Sequence, residues 1–284
     1  MKKRPATESD LKLSFLGNDQ QWPLGGIISL THDWIRLGCP GHKRDHVRSV
    51  KRMVDDNRVI EATADDILRL EYKLPLLRDE EEDYARILSA MLNSPIINVW
   101  ALKLKTADND IWVSDTYLYQ SIEETPQDKW IIKDIPPTKS TPSKRLFQYR
   151  RWVLPINIGG YHWVCICVDF CKKCIYFYSS LRVPEMCDNH PTLKVVDFLG
   201  HYLDQRGAKH EERETLETIK DSIYLLKGPS QKSSYVDCGI HVLLAMDAFV
   251  HEMDLNIRKD TWKQKDMSQY RGALLYYSVY PYEH

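Results

Sequence analysis

Two side chains in this sequence can combine into a nucleophile, His162 and Cys238. A thiol attacks a carbonyl carbon only as the thiolate, and a nearby imidazolium or the positive end of a helix dipole lowers its pKa. Cys238 directly precedes Gly239 to Phe249, an apolar run that reads as a helix buried on all sides, and Gly239 is small enough for another chain to approach closely. His162 opens an alternating segment after Gly159-Gly160-Tyr161, a position at a sheet edge where a side chain faces a cleft. Either residue alone is also compatible with a structural role, so the surrounding elements have to decide.

Those elements are legible in outline. Trp152 to Ile158, His162 to Phe170 and Ile175 to Tyr178 read as strands, the last two joined by the short turn Cys171 to Cys174. Leu193, Val196, Leu199, Tyr202 and Leu203 recur at helical spacing, and Ile223 to Leu226 is a short strand. Asp204 and the charged run Lys209 to Glu217 are expected to face solvent. Upstream, Ile96 to Leu104 reads as extended, and Trp112-Val113-Ser114-Asp115 leads into a helix over Thr116 to Ile122. Pro136 to Ser143 has the composition of a linker. The first ninety residues read as mostly helical. Tyr84, Ile87, Leu88, Met91 and Leu92 form one face after the acidic start Asp79 to Asp83, and Val47, Val50 and Val54 share a face within Arg44 to Val54.

Composition excludes several classes. With 284 residues, 43% apolar and 28% charged, the chain can bury a large core and is neither disordered nor a disulfide scaffold. Thirty-nine basic against 40 acidic side chains give a net charge of -1, so no global field draws in nucleic acid or an anionic membrane, and neither is expected as a partner. No apolar run approaches the roughly 18 residues of a membrane span, and Met1 to Asp10 is polar, which predicts an intracellular protein, cytoplasmic or nuclear. Seven cysteines, an odd number without a framework, read as reduced thiols. Cys171 and Cys174 have redox spacing but sit in a tight turn rather than at a helix start. His32, Cys39, His42 and His46 lack a paired Cys-x-x-Cys knuckle, so neither a metal nor a cofactor is expected.

A set of motifs in order resembles one family. Arg151-Trp152-Val153-Leu154-Pro155-Ile156-Asn157, His162-Trp163 with its strand to Asp169, Tyr178-Ser179-Ser180-Leu181, then Gln231 and Asp237-Cys238-Gly239 resemble the catalytic strands and nucleophile motif of ubiquitin-like-protein proteases. These are the SUMO-protease (Ulp/SENP-type) family of papain-like cysteine peptidases. Trp112-Val113-Ser114-Asp115 is similar to the family's Trp-Leu-Asn-Asp motif. The resemblance implies an α+β papain-like cysteine protease fold (Ulp/adenain-type) over residues 95–284, behind an N-terminal helical extension at 1–94. It implies His162 as general base, Cys238 as nucleophile and Gln231 as side-chain oxyanion donor beside the Cys238 backbone N-H. It further implies that Trp112 and Trp163, with Asp115 and Gly239 nearby, enclose a narrow tunnel for the Gly-Gly tail of a ubiquitin-like modifier such as SUMO, NEDD8 or ubiquitin.

Two positions depart from the family pattern. The acid expected seventeen residues after the histidine is Ser179, which can accept a hydrogen bond but carries no charge. Asp169 cannot replace it, because seven residues of strand put it about 23 Å from His162 and on the opposite face. Gln231 precedes Cys238 by seven residues, one more than usual in cellular members. The expected activity is therefore a thiol peptidase or isopeptidase with an atypical triad. The alternatives are a pseudo-protease that binds a ubiquitin-like protein without cutting it, and a clan-related acyltransferase.

Overall fold

The structure, a computed structural model, describes residues 26–38, 40–41, 46–48, 50–53, 59–71, 91–105, 110–130, 144–181, 186–187, 189–226, 228, 230–231, 236–253 and 267–280. The helix read over Asp79 to Leu92 lies outside them except for its last two residues. So do the linker-like Pro136 to Ser143 and, of the rejected metal ligands, Cys39 and His42.

A five-stranded mixed sheet organises the chain, in the order β3 (Ile111–Val113), β4 (Arg151–Ile158), β5 (His162–Asp169), β6 (Cys174–Ser179) and β7 (Ile223–Leu226). β4, β5 and β6 form an antiparallel meander; the outer strands β3 and β7 join it in parallel. The three inner strands are buried on both faces almost throughout. They alternate between two cores, as period-two side chains must. Val153, Trp163, Cys165, Cys167, Tyr176 and Tyr178 face the first core; Trp152, Leu154, Val164, Ile166, Ile175 and Phe177 face the second.

The first core centres on the helix α7 (Cys238–Val250), every residue of which is buried. Around it lie α1 (Ile27–Arg36), α3 (Ser94–Lys105) and α8 (Met267–Val279). The second core is covered by α4 (Thr116–Glu124), α5 (Pro191–Arg206) and α6 (His210–Asp221). α5 begins with Pro191 in its first turn and stops at Gly207, whose positive φ of 62° makes a left-handed cap. On α6 only Leu216 and Ile219 are buried, so the charged run does face water, as does Asp204. The six described cysteines are free thiols, Cys171 and Cys174 among them.

Two expectations fail. Ile96 to Leu104 is not extended but is most of α3. The segment is apolar nearly all round because Ile96, Ile97, Val99, Trp100, Ala101 and Leu104 are all buried, so no clean helical period shows. The amino-terminal extension is not simply helical either. Within the Arg44 to Val54 stretch read as helical lies β1 (Val50–Met53), which pairs antiparallel with β2 (Val59–Ala62); α2 (Ala64–Leu68) follows with Thr63 and Asp66 in a reciprocal cap. Backbone pairing with a neighbour overrides a three-valine periodicity. Ile27, Leu30, Ala62, Ile67 and Leu70 enter the same core as α7.

Asp169 has a structural duty. Arg151, its register partner on β4, is 2% exposed, and its Nε donates to Asp169 Oδ2 at 2.8 Å. The same guanidinium donates from Nη1 to the Phe249 carbonyl at 2.8 Å, near the carboxyl end of α7. Asp169→Ala would leave the buried arginine, among the described residues, with only Glu252, 3.8 Å from its Nη1, as a counter-charge. It is expected to cost about 3–5 kcal/mol in a denaturant titration while turnover per folded molecule stays unchanged.

Candidate active site

The nucleophile candidate sits where the sheet runs out. β6 ends at Ser179, whose partner in the ladder is Val164, so Trp163 lies one residue beyond the β5–β6 pairing. The first turn of α7 fills that space, and the Cys238 sulfur accepts the backbone N-H of Trp163 and that of Gly239. His162, the neighbour of Trp163, is 9% exposed, and its Nε2 lies 2.9 Å from Ser179 Oγ. That oxygen also accepts the Leu181 N-H at 3.3 Å. With Nε2 engaged by Ser179, Nδ1 is the ring nitrogen left to exchange a proton with a neighbour. Ser180, the other serine considered for the imidazole, has a buried hydroxyl with no hydrogen-bond partner.

Electrostatically the resting site is quiet. Burial pushes the Cys238 thiol up, and the two N-H groups on its sulfur offset part of that; Asp237 raises it further and Arg271 lowers it. Burial pulls the His162 imidazolium down. One turn along α7, His241 is held neutral by burial, down to about 4, and its Nδ1 is 3.1 Å from the Tyr178 hydroxyl. Burial therefore favours the uncharged form of both groups.

Gln231 reaches the site through its backbone, whose N-H donates to the Ser180 carbonyl at 2.8 Å, one residue from Ser179. Residues 232–235, between Gln231 and the nucleophile turn, are outside the described set. At the start of α7, Asp237 does not cap the helix with its side chain.

The expected tunnel residues are not brought together. Trp112 is on β3 beside Trp152, stacks on it with ring centroids 5.2 Å apart, and belongs to the second core. Trp163 belongs to the first core and pairs with Asn157, five residues along β4 from Trp152. The two indoles thus lie on opposite faces and about 17 Å apart along the strand, too far to flank one peptide tail. Asp115 caps α4, its Oδ1 accepting the N-H groups of Tyr117 and Leu118 at 3.0 Å each.

The segment that does meet the site precedes α3. The Leu92 carbonyl accepts the Trp163 indole N-H at 2.6 Å, and a Cβ on Gly239 would meet Leu92 Cβ at 2.7 Å. The close approach that Gly239 permits is thus by Leu92 of the same chain. Met91-Leu92-Asn93-Ser94 carries Leu-Asn in the middle of the Trp-Leu-Asn-Asp pattern, a signal weaker to the eye than the outer Trp and Asp of residues 112–115. Gly239→Ala should destabilise the protein by about 1–3 kcal/mol through this overlap. A double-mutant cycle with Leu92→Gly, which removes the Cβ in question, should show a favourable coupling that offsets much of that overlap, read from thermal midpoints.

Among the described residues no group of three or more His, Cys, Asp or Glu could hold a metal ion, and no helix is long and apolar enough to cross a membrane.

Comparison with known proteins bears on the fold. The sequence model of the Ulp1 protease family, C-terminal catalytic domain, matches residues 90–275. Among solved structures, the C-terminal Ulp1 protease domain in complex with Smt3, the yeast ortholog of SUMO, superposes with a TM-score of 0.57 at 17% identity, covering 88% of this chain and 94% of that one. The SUMO protease Ulp1 with its catalytic cysteine oxidised to a sulfonic acid gives 0.56 at 16% identity, covering 85% and 97%. The Ulp1-like SUMO protease catalytic domain of Chaetomium thermophilum gives 0.50 at 10% identity, covering 98% and 94%. At these identities the likeness is one of fold. No curated protein sequence matches.

Proposed function

The chain belongs to the Ulp1 protease family, and on that premise we propose that it is a thiol peptidase or isopeptidase that cleaves after the C-terminal Gly-Gly of a ubiquitin-like modifier. The observation that carries this reading is the position of the Cys238 sulfur, at the amino end of a buried helix and against the backbone N-H of the residue after His162. In the proposed cycle the Cys238 proton passes to His162 Nδ1 and the sulfur attacks the terminal glycine carbonyl. The Cys238 N-H and the Gln231 side-chain amide take the oxyanion. The imidazolium then returns the proton to the leaving amine, and water releases the thioester. Ser179 orients the imidazole without charging it. The tail is expected to approach over Met91, Leu92 and Trp163 rather than between two indoles.

The modifier is proposed by analogy of fold with a Ulp1 domain bound to Smt3. SUMO, NEDD8 and ubiquitin precursors carrying C-terminal extensions, incubated with the protein and resolved by mass spectrometry, test this. Loss of the extension after Gly-Gly from at least one of them is expected. Intact precursors that nonetheless co-purify with the protein would favour the binding-only reading, which draws on the uncharged Ser179 and the burial that favours the uncharged forms of Cys238 and His162. Transfer of label from an acyl-CoA would indicate an acyltransferase.

A further inference from the structure

Residues 26–71 precede the segment that the family's sequence model covers, yet a polar network behind Cys238 begins there. Arg271 on α8 is 3% exposed, and its guanidinium engages three acceptors. Nε donates to Asp237 Oδ1 at 2.7 Å, Nη2 to the Val236 carbonyl at 3.2 Å, and Nη1 to the Arg69 carbonyl at 3.0 Å. Arg69, in the 3-10 turn Arg69–Glu71 after α2, donates in turn from Nη1 to the Met91 carbonyl at 3.1 Å. The next carbonyl along, that of Leu92, holds the Trp163 indole. Two arginines therefore tie the extension, the last helix, the segment before α3 and the turn that presents the nucleophile into one unit.

The chemistry of that turn explains why a guanidinium is needed. Asp237 is 2% exposed and precedes Cys238 directly; its carboxylate faces Arg271 instead of capping α7. Among the described residues, the titratable or charged groups around the sulfur are His162 on β5, Asp237 in the turn, Arg271 on α8 and His241 one turn along α7, the last bonded to the Tyr178 hydroxyl on β6. Arg271 is the fixed cation of the set. Without it the buried Asp237 carboxylate would lose this counter-charge beside a sulfur that must become an anion. A lysine would supply the charge but not the planar fork that spans three acceptors on two segments.

We propose that Arg271, anchored on the Arg69 carbonyl of the extension, is a positioning residue for the nucleophile: it fixes the Val236–Asp237 turn that presents Cys238 and neutralises the carboxylate beside the sulfur. This rests on Cys238 being the nucleophile of the proposed protease. It makes the extension a working part of the catalytic unit rather than an appendage.

The test is the rate of iodoacetamide alkylation at Cys238 as a function of pH, mapped by mass spectrometry on the whole chain and on Arg271→Met, Asp237→Asn and the double variant. Arg271→Met is expected to slow alkylation near neutral pH about tenfold, an upward displacement of the profile by about one unit. Adding Asp237→Asn should bring the rate back to within about threefold of the unsubstituted protein, because both charges are then gone. A profile for Arg271→Met that superimposes on the unsubstituted one overturns the proposal, as does a double variant as slow as the single. If Arg271→Met does not fold, Arg271→Lys serves. The alkylation profile should then stay in place while the turnover of a cleaved modifier falls about tenfold, since one ammonium cannot hold all three acceptors; unchanged turnover overturns the positioning role. If the unsubstituted protein cuts no ubiquitin-like substrate but Arg271→Met still moves the profile, the protease reading fails and the assignment of Arg271 stands.

Discussion

Cys238→Ala is expected to abolish the proposed cleavage, lowering kcat by about 10⁴- to 10⁶-fold, the range found when the nucleophile of a hydrolase is removed. The size of the loss follows from covalent catalysis. Among the described residues, Cys165 and Cys167 point into the first core from the middle of β5, where burial pushes both well up, and Cys171 and Cys174 lie at the far end of the hairpin from His162. Because alanine removes only a sulfur that is 2% exposed, the fold and any affinity for the modifier persist. The variant is thus a substrate trap. The measurement is single-turnover cleavage of a precursor together with a binding titration by the same protein. Residual cleavage above about one hundredth of the original would mean that the chemistry lies elsewhere.

Ser179→Asp is expected to accelerate the enzyme. Ser179 Oγ is 2.9 Å from His162 Nε2, and burial alone now sets the direction of the imidazole, downward. A carboxylate at that place is an opposite charge within contact distance, which raises an imidazole pKa by about 1–3 units. The sign is favourable: a higher imidazole pKa stabilises the imidazolium and with it the Cys238 thiolate. kcat/KM near neutral pH should rise about 10- to 100-fold, a fraction of the roughly 10⁴ that a triad carboxylate contributes in serine proteases. The Leu181 N-H, 3.3 Å from the present hydroxyl, is already placed to bond the new carboxylate. The pH profile supplies the check, since its acid limb should report a histidine that titrates higher than in the unsubstituted protein. Ser179→Ala should move activity the other way by leaving Nε2 without its partner. A folded Ser179→Asp protein with no gain would show that the resting orientation of His162 is not the one used in catalysis.

The parts of this molecule that could be read from its sequence are those whose period is unambiguous. Strands β4 to β6 alternate strictly between two cores, and the read ranges differ from the observed ones by a residue at the ends. The contact of His162 with the serine seventeen residues on is expected from the family resemblance; in the hairpin Ser179 sits opposite Val164, two residues along β5 from His162. α3 was hidden by its burial on all sides, though Ser94-Pro95 marks a helix start. The β1–β2 hairpin was hidden because valines at 47, 50 and 54 satisfy a helical period that backbone pairing then overrides. Residues 112–115 misled through their outer letters: an aspartate before a helix is first of all a cap, and an aromatic on an outer strand is first of all core. Arg69 and Arg271 carry no local signal. Their importance lies in carbonyls and a carboxylate brought together from segments up to 202 residues apart.

The central claim is that Cys238 is the sulfur that meets the modifier's terminal carbonyl, activated by His162. It is tested most directly by incubating the protein with ubiquitin, SUMO and NEDD8 bearing a C-terminal electrophile and locating the adduct by peptide mapping. A one-to-one adduct on the peptide containing Cys238, lost in His162→Ala, is the predicted result. An adduct on the exposed Cys171 or Cys187, or one on Cys238 that forms as fast without the imidazole, would contradict it.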